Sequence, residues 1–247
     1  MKVISFTNQK GGVGKSTTCY NVAAALARSG KKVLIIDADP QGDASTMAGY
    51  RELEDGDQTL YDVLNGSDVL EAIRPADGCF IVPSDISLAQ SEVELINAPR
   101  TALRTAIKPA RRRFDYILID CPPSLNMLTV NALTASDGVI IPVQSQYLAL
   151  KGVERLRDTI SEIRKALNPK LKIFGVVLTF YNDKSKEDEE HRSDLVRIFG
   201  EKVLTTSIST SKALARAPEH EQSIFQYSPR SKAAKQYKAL AEEIARH

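Results

Sequence analysis

The amino-acid sequence predicts an α/β fold, in which helices cover both faces of a mostly parallel, twisted sheet. Short continuous apolar runs, typical of strands that are buried on both faces, recur along the chain. They occupy residues 3–6, 33–36, 115–120, 138–143 and 173–180. Helix-compatible segments separate these runs, and 247 residues suffice for a domain with a substantial core. We therefore expect residues 1–247 to form a single domain.

A glycine-rich loop follows the first predicted strand, with the sequence QKGGVGKSTT at residues 9–18. Glycines let backbone N–H groups approach a polyphosphate closely, and a helix that begins behind them directs its unpaired N–H groups to the same place. Lys15 then suits the outer phosphates, and the Ser16 hydroxyl suits a Mg²⁺ ion that bridges them. The strict pattern has glycine at its first position, where this chain has Gln9, and the loop carries a second lysine, Lys10. This pattern indicates a nucleoside-triphosphate site rather than a plain strand-to-helix turn.

Composition argues against several other classes of protein. The hydrophobic share of 43% and the charged share of 26% are ordinary for a soluble globular protein. No apolar run approaches the roughly 20 residues that span a bilayer, and residues 10–14 interrupt any amino-terminal signal sequence, so we expect a cytoplasmic protein. Cys19, Cys79 and Cys121 are isolated, which predicts buried thiols and neither a zinc site nor disulfides. The net charge of +2 is too small to indicate nucleic-acid binding by itself.

Carboxylates follow two of the predicted strands. Asp37 and Asp39 end the second apolar run, one βαβ step after the loop, where ligands bind in open α/β sheets. The run DYILID ends in Asp120 and is followed by Cys-Pro-Pro-Ser. An acid at this place is the usual partner of Mg²⁺ or its waters, and two prolines suit a loop that moves as a unit. We therefore expect Asp39 and Asp120 to act at the nucleotide site.

The other segments complete the predicted fold. Residues 43–78 are polar surface elaboration, in which Thr59 caps a short helix and Val69–Ile73 forms a second one. Further strands are expected at residues 80–82 and 203–205, and helices at residues 19–27, 87–96, 126–133, 147–167 and 230–246, with another that ends at residue 200. In the long helix 147–167 the inward residues are predicted to be Leu148, Leu156, Ile160, Ile163 and Leu167.

Residues 99–113 form a basic run without an acidic residue. Its members are Arg100, Arg104, Lys108, Arg111, Arg112 and Arg113. The first three are spaced four apart, so on a helix they would share one face. A solvated surface is the ordinary interpretation of such a run, and a strip that contacts a phosphate backbone is the alternative.

Taken together, the motifs KGGVGKST, DADPQG and DCPPS, closed by YSPRSKAAKQYKALAEEI, resemble the ParA family of partition ATPases over essentially the whole chain. The resemblance implies a P-loop NTPase fold with a deviant Walker A motif, weak intrinsic ATPase activity, and a homodimer with ATP and Mg²⁺ between its subunits. Lys10 would be the signature lysine that reaches the partner's nucleotide. Lys15 would bind the β and γ phosphates, and Ser16 the Mg²⁺. Asp39 would position or activate the attacking water, and Asp120 would hold Mg²⁺ through a water.

The resemblance also implies the remaining nucleotide contacts. The loop residues Gly11, Gly12, Val13, Gly14 and Thr17 would surround the phosphates. The stretch Thr179 to Asn182, which includes Phe180, and the turn at Pro229 would border the adenine.

In this family the ATP-bound dimer binds DNA without sequence preference, and a ParB-like partner stimulates hydrolysis, which implies a nucleoid-associated protein. Residues 197–247 contain nine Lys or Arg and five Asp or Glu, so the carboxyl-terminal part is basic. Where the family commonly has an arginine this chain has Ala213, flanked by Lys212 and Arg216. We expect these two cations, together with Lys184, to contact DNA.

Other functions share these nucleotide motifs. A ParA-like ATPase could position a protein cargo, such as a chemoreceptor cluster or an enzyme compartment. A membrane-cycling ATPase of the MinD type would need an amphipathic anchor, whereas the last helix has Tyr237, Leu240 and Ile244 as its large apolar groups. We therefore expect no stable membrane association. A metabolic or metal-transfer ATPase would need substrate-specific sites or paired cysteines.

Overall fold

The computed structural model describes residues 1–54, 56–145 and 147–247, and the side chains of residues 147–151 lie outside this description. The strands are β1 (Lys2–Phe6), β2 (Val33–Asp37), β3 (Arg74–Pro75), β4 (Phe80–Val82), β5 (Tyr116–Asp120), β6 (Gly138–Gln144), β7 (Lys172–Tyr181) and β8 (Ile208–Ser209). The helices are α1 (Lys15–Arg28), α2 (Asp43–Met47), α3 (Leu60–Leu64), α4 (Leu88–Asn97), α5 (Ala102–Ala106), α6 (Met127–Ala135), α7 (Tyr147–Ala166), α8 (Lys186–Phe199), α9 (Lys212–Arg216), α10 (Ile224–Tyr227) and α11 (Lys232–Ala245).

The eight strands form one sheet in the order β3-β4-β2-β5-β1-β6-β7-β8, and every pair except β3–β4 is parallel. Strands β2 and β5 are buried at every residue, which explains their continuous apolar sequences. The register places Asp120 beside Phe6 on one side and beside Asp37 on the other. The carboxyl ends of the three central strands therefore meet at one edge of the sheet.

Helices cover both faces of this sheet, because successive residues of a strand point to opposite sides. Ile4 and Phe6 of β1 pack in a core with α1 and α11, which includes Tyr20 and Tyr237. Val3 of the same strand belongs to the opposite core, built with α3 to α6. A third cluster joins β6 and β7 to α7 and α8. The α/β fold predicted from the sequence is confirmed.

Most of the predicted elements are confirmed with small shifts at their ends. Thr59 caps α3 in a capping box, in which the Asp62 carboxylate accepts a hydrogen bond of 2.8 Å from the Thr59 N–H. Of the predicted inward residues of α7, the structure buries Leu156, Ile160 and Ile163 and partly buries Leu167, and Leu148 lies outside the described side chains.

The helix predicted at Val69–Ile73 is wrong. The segment forms turns, because the Asp68 side chain accepts the Leu70 N–H at 3.0 Å and the Asp68 carbonyl accepts the Glu71 N–H at 3.0 Å. A side chain that bonds the backbone two residues further on favours a turn over a continuing helix. The segment still buries apolar groups, since Val69 and Ala72 belong to the core.

The strand predicted at residues 203–205 is also wrong in its bounds. Val203 makes a single parallel bridge to Val176, and regular pairing resumes at β8. The Glu243 carboxylate of α11 accepts the N–H groups of Thr205 and Thr206 at 2.8 and 3.0 Å. Those groups are therefore unavailable to a strand ladder.

The basic run at residues 99–113 does not form one helix. It divides into α5 and a 3₁₀ turn at residues 110–112, so Arg100, Arg104 and Lys108 do not share one helical face. The Arg100 guanidinium instead donates to the Leu95 carbonyl at 3.2 Å and contacts the sulfur of Met127. The spacing of four between these cations therefore does not align them on one helix, because the helix ends within the run.

The three cysteines are buried thiols, as predicted, and they form no disulfide. Among the described residues, no helix combines the length and the apolar character needed to cross a bilayer.

Gly138, the first residue of β6, lies against the Phe174 ring of β7. A Cβ atom added there would meet Cγ, Cδ2 and Cε2 of Phe174 at 2.2 to 2.4 Å. We expect Gly138→Ala to lower the free energy of unfolding in urea by about 1 to 3 kcal/mol, because the ring must leave its place.

The matched control is Gly152→Ala in α7, whose added Cβ meets no atom within 4 Å. Alanine favours a helix over glycine by roughly 0.5 to 1 kcal/mol, so this variant should be at least as stable as the wild type. An unchanged unfolding free energy in Gly138→Ala would contradict the packing described here.

Candidate active site

The glycine-rich loop connects β1 to α1 and leaves the amino terminus of that helix open. Gly12 and Gly14 have φ values of 71° and 80°, in the left-handed region that favours glycine. No side chain caps α1, and its first turn carries no acidic residue. The N–H groups of that turn and the positive end of the helix dipole are therefore available to an anion.

A cavity of about 290 Å³ adjoins this helix terminus. Its walls include Gly12, Gly14, Lys15, Ser16, Thr17, Asp43, Thr46, Met47, Phe180 and Pro218. Lys15 and Ser16 are 6% and 8% exposed, so both predicted nucleotide-site residues are buried beside this cavity. The Lys15 ammonium acts electrostatically on Asp39 and Asp120 and opposes the rise in pKa of both carboxyls.

Asp120 is fully buried at the end of β5. Among the described residues, no donor meets regular hydrogen-bond geometry at either of its carboxylate oxygens. Burial raises the pKa of Asp120 well above its ordinary value, and the nearby Asp37 raises it further. The Ser16 hydroxyl and the Lys15 ammonium act in the opposite direction. A buried carboxylate to which the described residues offer no donor in regular geometry, next to a serine hydroxyl, suits a bound cation.

Mg²⁺ fits this donor set, with Ser16 and Asp120 as the residues that would hold it. Among the described residues, no three His, Cys, Asp or Glu side chains form a closed metal cage. Mg²⁺ does not require one, because it usually keeps several waters and takes one or two protein oxygens together with substrate phosphates.

Asp37 is a site residue that the sequence analysis placed at the end of the second strand without giving it a role of its own. It lies beside Asp120 in the sheet, and its carboxylate accepts the Ser45 N–H at 2.8 Å, the Ser45 hydroxyl at 2.6 Å and the Asp39 N–H at 3.2 Å. Burial raises the pKa of Asp37 to about 7 despite these bonds. Asp37 thus orients Asp39 and adds negative charge beneath the cation site. Its position as the first acid of the Asp-Ala-Asp motif was the available signal.

Asp39 is 5% exposed and is the second residue after β2. One carboxylate oxygen accepts the Gln41 N–H at 3.1 Å. Burial raises the pKa of Asp39, while the Gln41 N–H and the Lys15 ammonium lower it. A carboxylate with a raised pKa accepts a proton more readily than an exposed one, which fits the predicted role toward water.

The Lys10 side chain reaches the end of β6. Its N–H donates to the Asn8 side chain at 3.1 Å, and its ammonium donates to the Gln144 side chain at 3.4 Å. The Asn8 amide in turn donates to the Pro142 carbonyl at 2.7 Å. Asn8 and Gln144 were not predicted, and a polar residue immediately before a phosphate loop is a weak signal. The structure therefore separates the two lysines of the loop.

A second cavity of about 240 Å³ lies on the other side of Gly14 and Thr17. Its remaining walls are Thr179, Phe180, Ile208, Ser209, Thr210, Ser211, Leu214, Ala215 and Tyr237. The Thr179 hydroxyl donates to the Val13 carbonyl at 2.8 Å, which ties the loop to β7. Phe180 has a φ of 54°, unusual for this residue, and is 42% exposed. A mostly apolar cavity beside a phosphate cradle suits a flat heterocyclic base.

The three residues expected near adenine occupy different places. Phe180 lines both cavities beside the loop. Asn182 is exposed, and its N–H donates to the Asp188 carboxylate at 2.7 Å. Pro229 lines a separate cavity between α1 and α11. The adenine contacts of Phe180, Asn182 and Pro229 all stay predictions.

The three expected DNA contacts are exposed. Lys184 lies in the loop after β7, and Lys212 and Arg216 begin and end α9, four residues apart. The two segments meet where the Thr210 hydroxyl donates to the Phe180 carbonyl at 3.3 Å. All three cations thus border the carboxyl-terminal edge of the sheet, near the second cavity.

Comparisons with known proteins identify relatives of this chain. Residues 1–173 match a family described as an AAA domain. The chain is 42% identical to the sporulation initiation inhibitor protein Soj of Bacillus subtilis, covering 99% of this chain and 98% of that one. It is 43% identical to the chromosome-partitioning ATPase Soj of Thermus thermophilus, covering 98% and 94%.

Among solved structures, cobyrinic acid a,c-diamide synthase from Mycobacterium smegmatis, with bound ADP and magnesium, superposes with a TM-score of 0.86. The two chains are 32% identical, and the match covers 100% of this chain and 95% of that one.

The parallel sheet, the open helix terminus and the buried lysine, serine and carboxylates define a P-loop ATPase. Within that class, identities of 42% and 43% to the two Soj proteins over nearly the whole chain place it in the ParA family of partition ATPases.

Asp120 gives a test of the site without nucleotide. The raised pKa means that the folded protein keeps a proton that the unfolded chain releases, so this group lowers stability as the pH rises above about 4. Asp120→Asn cannot release a proton. We expect it to be more stable than the wild type at neutral pH without metal, by about 1.4 kcal/mol for each unit by which the pKa is raised.

Urea unfolding across the pH range measures this difference, which should disappear toward about pH 4. The exposed Glu52→Gln is the control and should keep the pH dependence of the wild type. The same pH dependence in Asp120→Asn and the wild type would contradict a buried, proton-retaining carboxyl.

Proposed function

We propose that the protein, acting as a single domain, is an ATP-dependent switch that partitions chromosome or plasmid DNA. In its ATP-bound form two copies join through their phosphate loops, and the dimer binds DNA without sequence preference. A ParB-like partner stimulates hydrolysis, which separates the subunits and releases the DNA. The observation that carries this proposal is the placement of the two loop lysines: Lys15 is buried beside the phosphate cavity, whereas Lys10 donates to Gln144 beside two exposed glycines.

Lys15 serves the nucleotide of its own subunit, where it is buried beside the phosphate cavity. Lys10 is held toward Gln144 and stands next to Gly11 and Gly12, which are exposed and have no atom within 4 Å of an added Cβ. A second subunit can approach such a surface closely, because no side chain intervenes. Lys10 would then reach the partner's nucleotide.

Phosphoryl transfer depends mostly on positioning and on neutralising charge on the transferred group. Lys15 and the helix terminus hold the phosphates, and Asp39 orients the attacking water and accepts its proton. Bound Mg²⁺, held by Ser16 and Asp120, would neutralise charge on the outer phosphates. Lys10 of the second subunit supplies the further cation, worth several kcal/mol in comparable systems, which makes hydrolysis depend on dimerisation.

DNA binding would use Lys184, Lys212 and Arg216. Three cations per subunit give weak, salt-sensitive contact with a phosphate backbone, and dimerisation doubles their number on one assembly. Coupling of this kind makes retention on the nucleoid depend on ATP without any sequence-specific contact.

The alternatives have less support. A protein cargo would leave the nucleotide site unchanged, but the Soj relatives named above include a chromosome-partitioning ATPase. A membrane anchor would need the apolar face of α11, whereas Tyr237, Leu240 and Ile244 are at most 1% exposed in the core of this protein. A DNA cargo is therefore the function that the observations favour.

Lys10→Ala tests the role of the loop in the dimer. We expect this variant to bind ATP, because Lys15 and the helix terminus remain, but neither to hydrolyse it nor to form the ATP-dependent dimer. Nucleotide binding, phosphate release and sedimentation measure the three properties.

The control is Lys165→Ala, which removes an exposed lysine at the end of α7. It should behave as the wild type in all three assays. An unchanged hydrolysis rate in Lys10→Ala would refute the proposed role of the second lysine.

Lys212→Glu and Arg216→Glu test the DNA contacts. Each places a negative charge beside the phosphate backbone, so ATP-dependent retention of DNA should fall at least tenfold while hydrolysis without DNA continues. Retention is measured with ATP, with ADP and without nucleotide, at two salt concentrations.

Arg51→Glu, the same charge change at an exposed residue of the segment 43–78, is the control and should retain DNA normally. If both α9 variants retain DNA as well as this control, these residues are not the ATP-dependent contact.

A further inference from the structure

Phe180, near the end of β7, lies on the side of the sheet opposite to the one that its position in the strand predicts. Successive residues of a strand point to opposite faces, and Val176 and Leu178 pack in the cluster with α7 and α8. Regular alternation would place Phe180 with them. Its ring instead lines both cavities beside the phosphate loop, on the α1 side of the sheet. The next residue, Tyr181, packs in the cluster with α7 and α8.

A β-bulge produces this exchange of faces. Thr179 pairs with Ile208 of β8. Tyr181 pairs with the next residue, Ser209, so Phe180 is an extra residue in the ladder. A shift of one residue moves the side chains that follow it to the other face of the sheet. Bulges recur next to active sites, where they redirect a side chain.

The backbone at Phe180 is strained, and neighbouring groups hold it. Its φ of 54° lies in the left-handed region, and among the described residues Glu221 is the one other non-glycine residue with a positive φ. Such a conformation is costly for a large side chain and persists where the surroundings fix it, most often at functional sites. The Thr179 hydroxyl donates to the Val13 carbonyl at 2.8 Å. The Thr210 hydroxyl donates to the Phe180 carbonyl at 3.3 Å.

Core packing does not explain this arrangement. Phe180 is 42% exposed, whereas Tyr181 is 6% exposed in the cluster with α7 and α8. A relaxed backbone and a buried ring would both favour regular alternation for Phe180. The strained bulge therefore maintains the position of the ring beside the phosphate loop and not its burial.

The ring stands at the boundary between the two cavities beside the loop. Gly14, Thr17 and Phe180 line both cavities, the first two from the loop and α1, and Phe180 from β7. A Cβ atom added at Gly14 would lie 3.8 Å from Cε2 of the ring, an ordinary van der Waals contact. The ring edge thus packs against the loop at this boundary, which we call the neck.

A nucleotide that uses both cavities has to cross the neck. The cavity with Lys15 and Ser16 suits the phosphates and the mostly apolar cavity suits the base, so the sugar would lie between them. The edge of the Phe180 ring occupies this passage. Because the residue is 42% exposed, rotation about its side-chain bonds can carry the ring outward into solvent.

We propose that Phe180 is a gate for nucleotide exchange. The ring closes the neck against Gly14 and Thr17, and it turns outward when a nucleotide enters or leaves, so it slows both steps. A plain base contact would differ, because it lowers the rate of release and leaves the rate of entry unchanged. The inference concerns the nucleotide site alone and does not depend on a role in DNA partition.

The test measures the association rate constant of a fluorescent ADP analogue with Mg²⁺ by stopped flow, with the full-length protein. Phe180→Ala removes the ring but keeps a Cβ atom, and therefore keeps the strain of a positive φ. We expect the association rate constant to rise about tenfold, because a half-buried ring no longer has to leave its contacts before nucleotide enters. Release, measured by a chase with unlabelled ADP, should accelerate as well.

Two further variants separate the ring from the backbone. Phe180→Gly also lacks the ring, and glycine adopts a positive φ without strain, so this variant carries the test if the alanine variant does not fold. It should show the same rise in the association rate constant. Phe180→Tyr restores a ring of the same shape and should return both rate constants to the wild-type values.

Phe80→Ala is the matched control, because Phe80 is 40% exposed and lies at the first residue of β4, at the other end of the strands. It should exchange nucleotide as the wild type does. An unchanged association rate constant in both Phe180→Ala and Phe180→Gly would overturn the proposal, and faster release alone would make the ring a base contact. An equal rise in Phe80→Ala would overturn it too.

Retention of DNA by the same proteins separates this inference from the proposed function. If ATP adds no retention in the wild type, but nucleotide enters Phe180→Ala faster, the partition switch fails and the gate stands. If retention in the wild type depends on ATP, and nucleotide entry is unchanged in the variants without the ring, the gate fails and the partition switch stands.

Discussion

The burial of Asp120 is the constraint on which the rest of the site depends. A carboxylate in the interior is costly unless a cation or donors compensate it, and here Asp37 lies beside it in the next strand. Lys15 and Ser16 from α1 approach the same place, and their position follows from the left-handed glycines that turn the loop. The protein thus places a buried carboxyl group where the metal ion that accompanies a nucleotide would bring positive charge. The buried carboxyl groups that suit a bound cation therefore also lower the stability of the protein when the site is empty.

The two lysines of the phosphate loop are close in sequence, but the loop that carries them is bonded to two different strands. Both follow from a single run of ten residues, yet Thr179 anchors Val13 on one side and Asn8 anchors Lys10 on the other. The loop is therefore tied to β7 and to the end of β6 at once. These hydrogen bonds connect the phosphate loop to both strands.

Sequence reasoning recovered the parallel sheet, the loop and the strand-end acids because each depends on short-range patterns. Apolar runs identify buried strands, and glycines before GKST identify a helix terminus. The failures were of a different kind. Glu243, 38 positions after Thr205, accepts the backbone N–H groups that a strand at residues 203–205 would use. The Asp68 side chain bonds the Leu70 N–H and thereby replaces the expected helix with a turn. Gln144 is 134 positions from Lys10. Partners at that separation cannot be read from spacing, and neither can the cavity that α9 and β8 form with Phe180.

The buried thiols bear on how the site withstands oxidants. Cys19 lies in α1 and Cys121 follows Asp120 directly, so two of the three sulfurs adjoin the nucleotide site. Burial raises the pKa of both thiols, with Asp120 adding to the effect, and it is the thiolate that reacts with peroxide or disulfides. In the folded protein these thiols therefore stay protonated and react poorly with such oxidants. Burial, the larger cause, and the nearby Asp120 both disfavour the reactive thiolate, so we expect oxidation of these two cysteines to require an opened form of the chain.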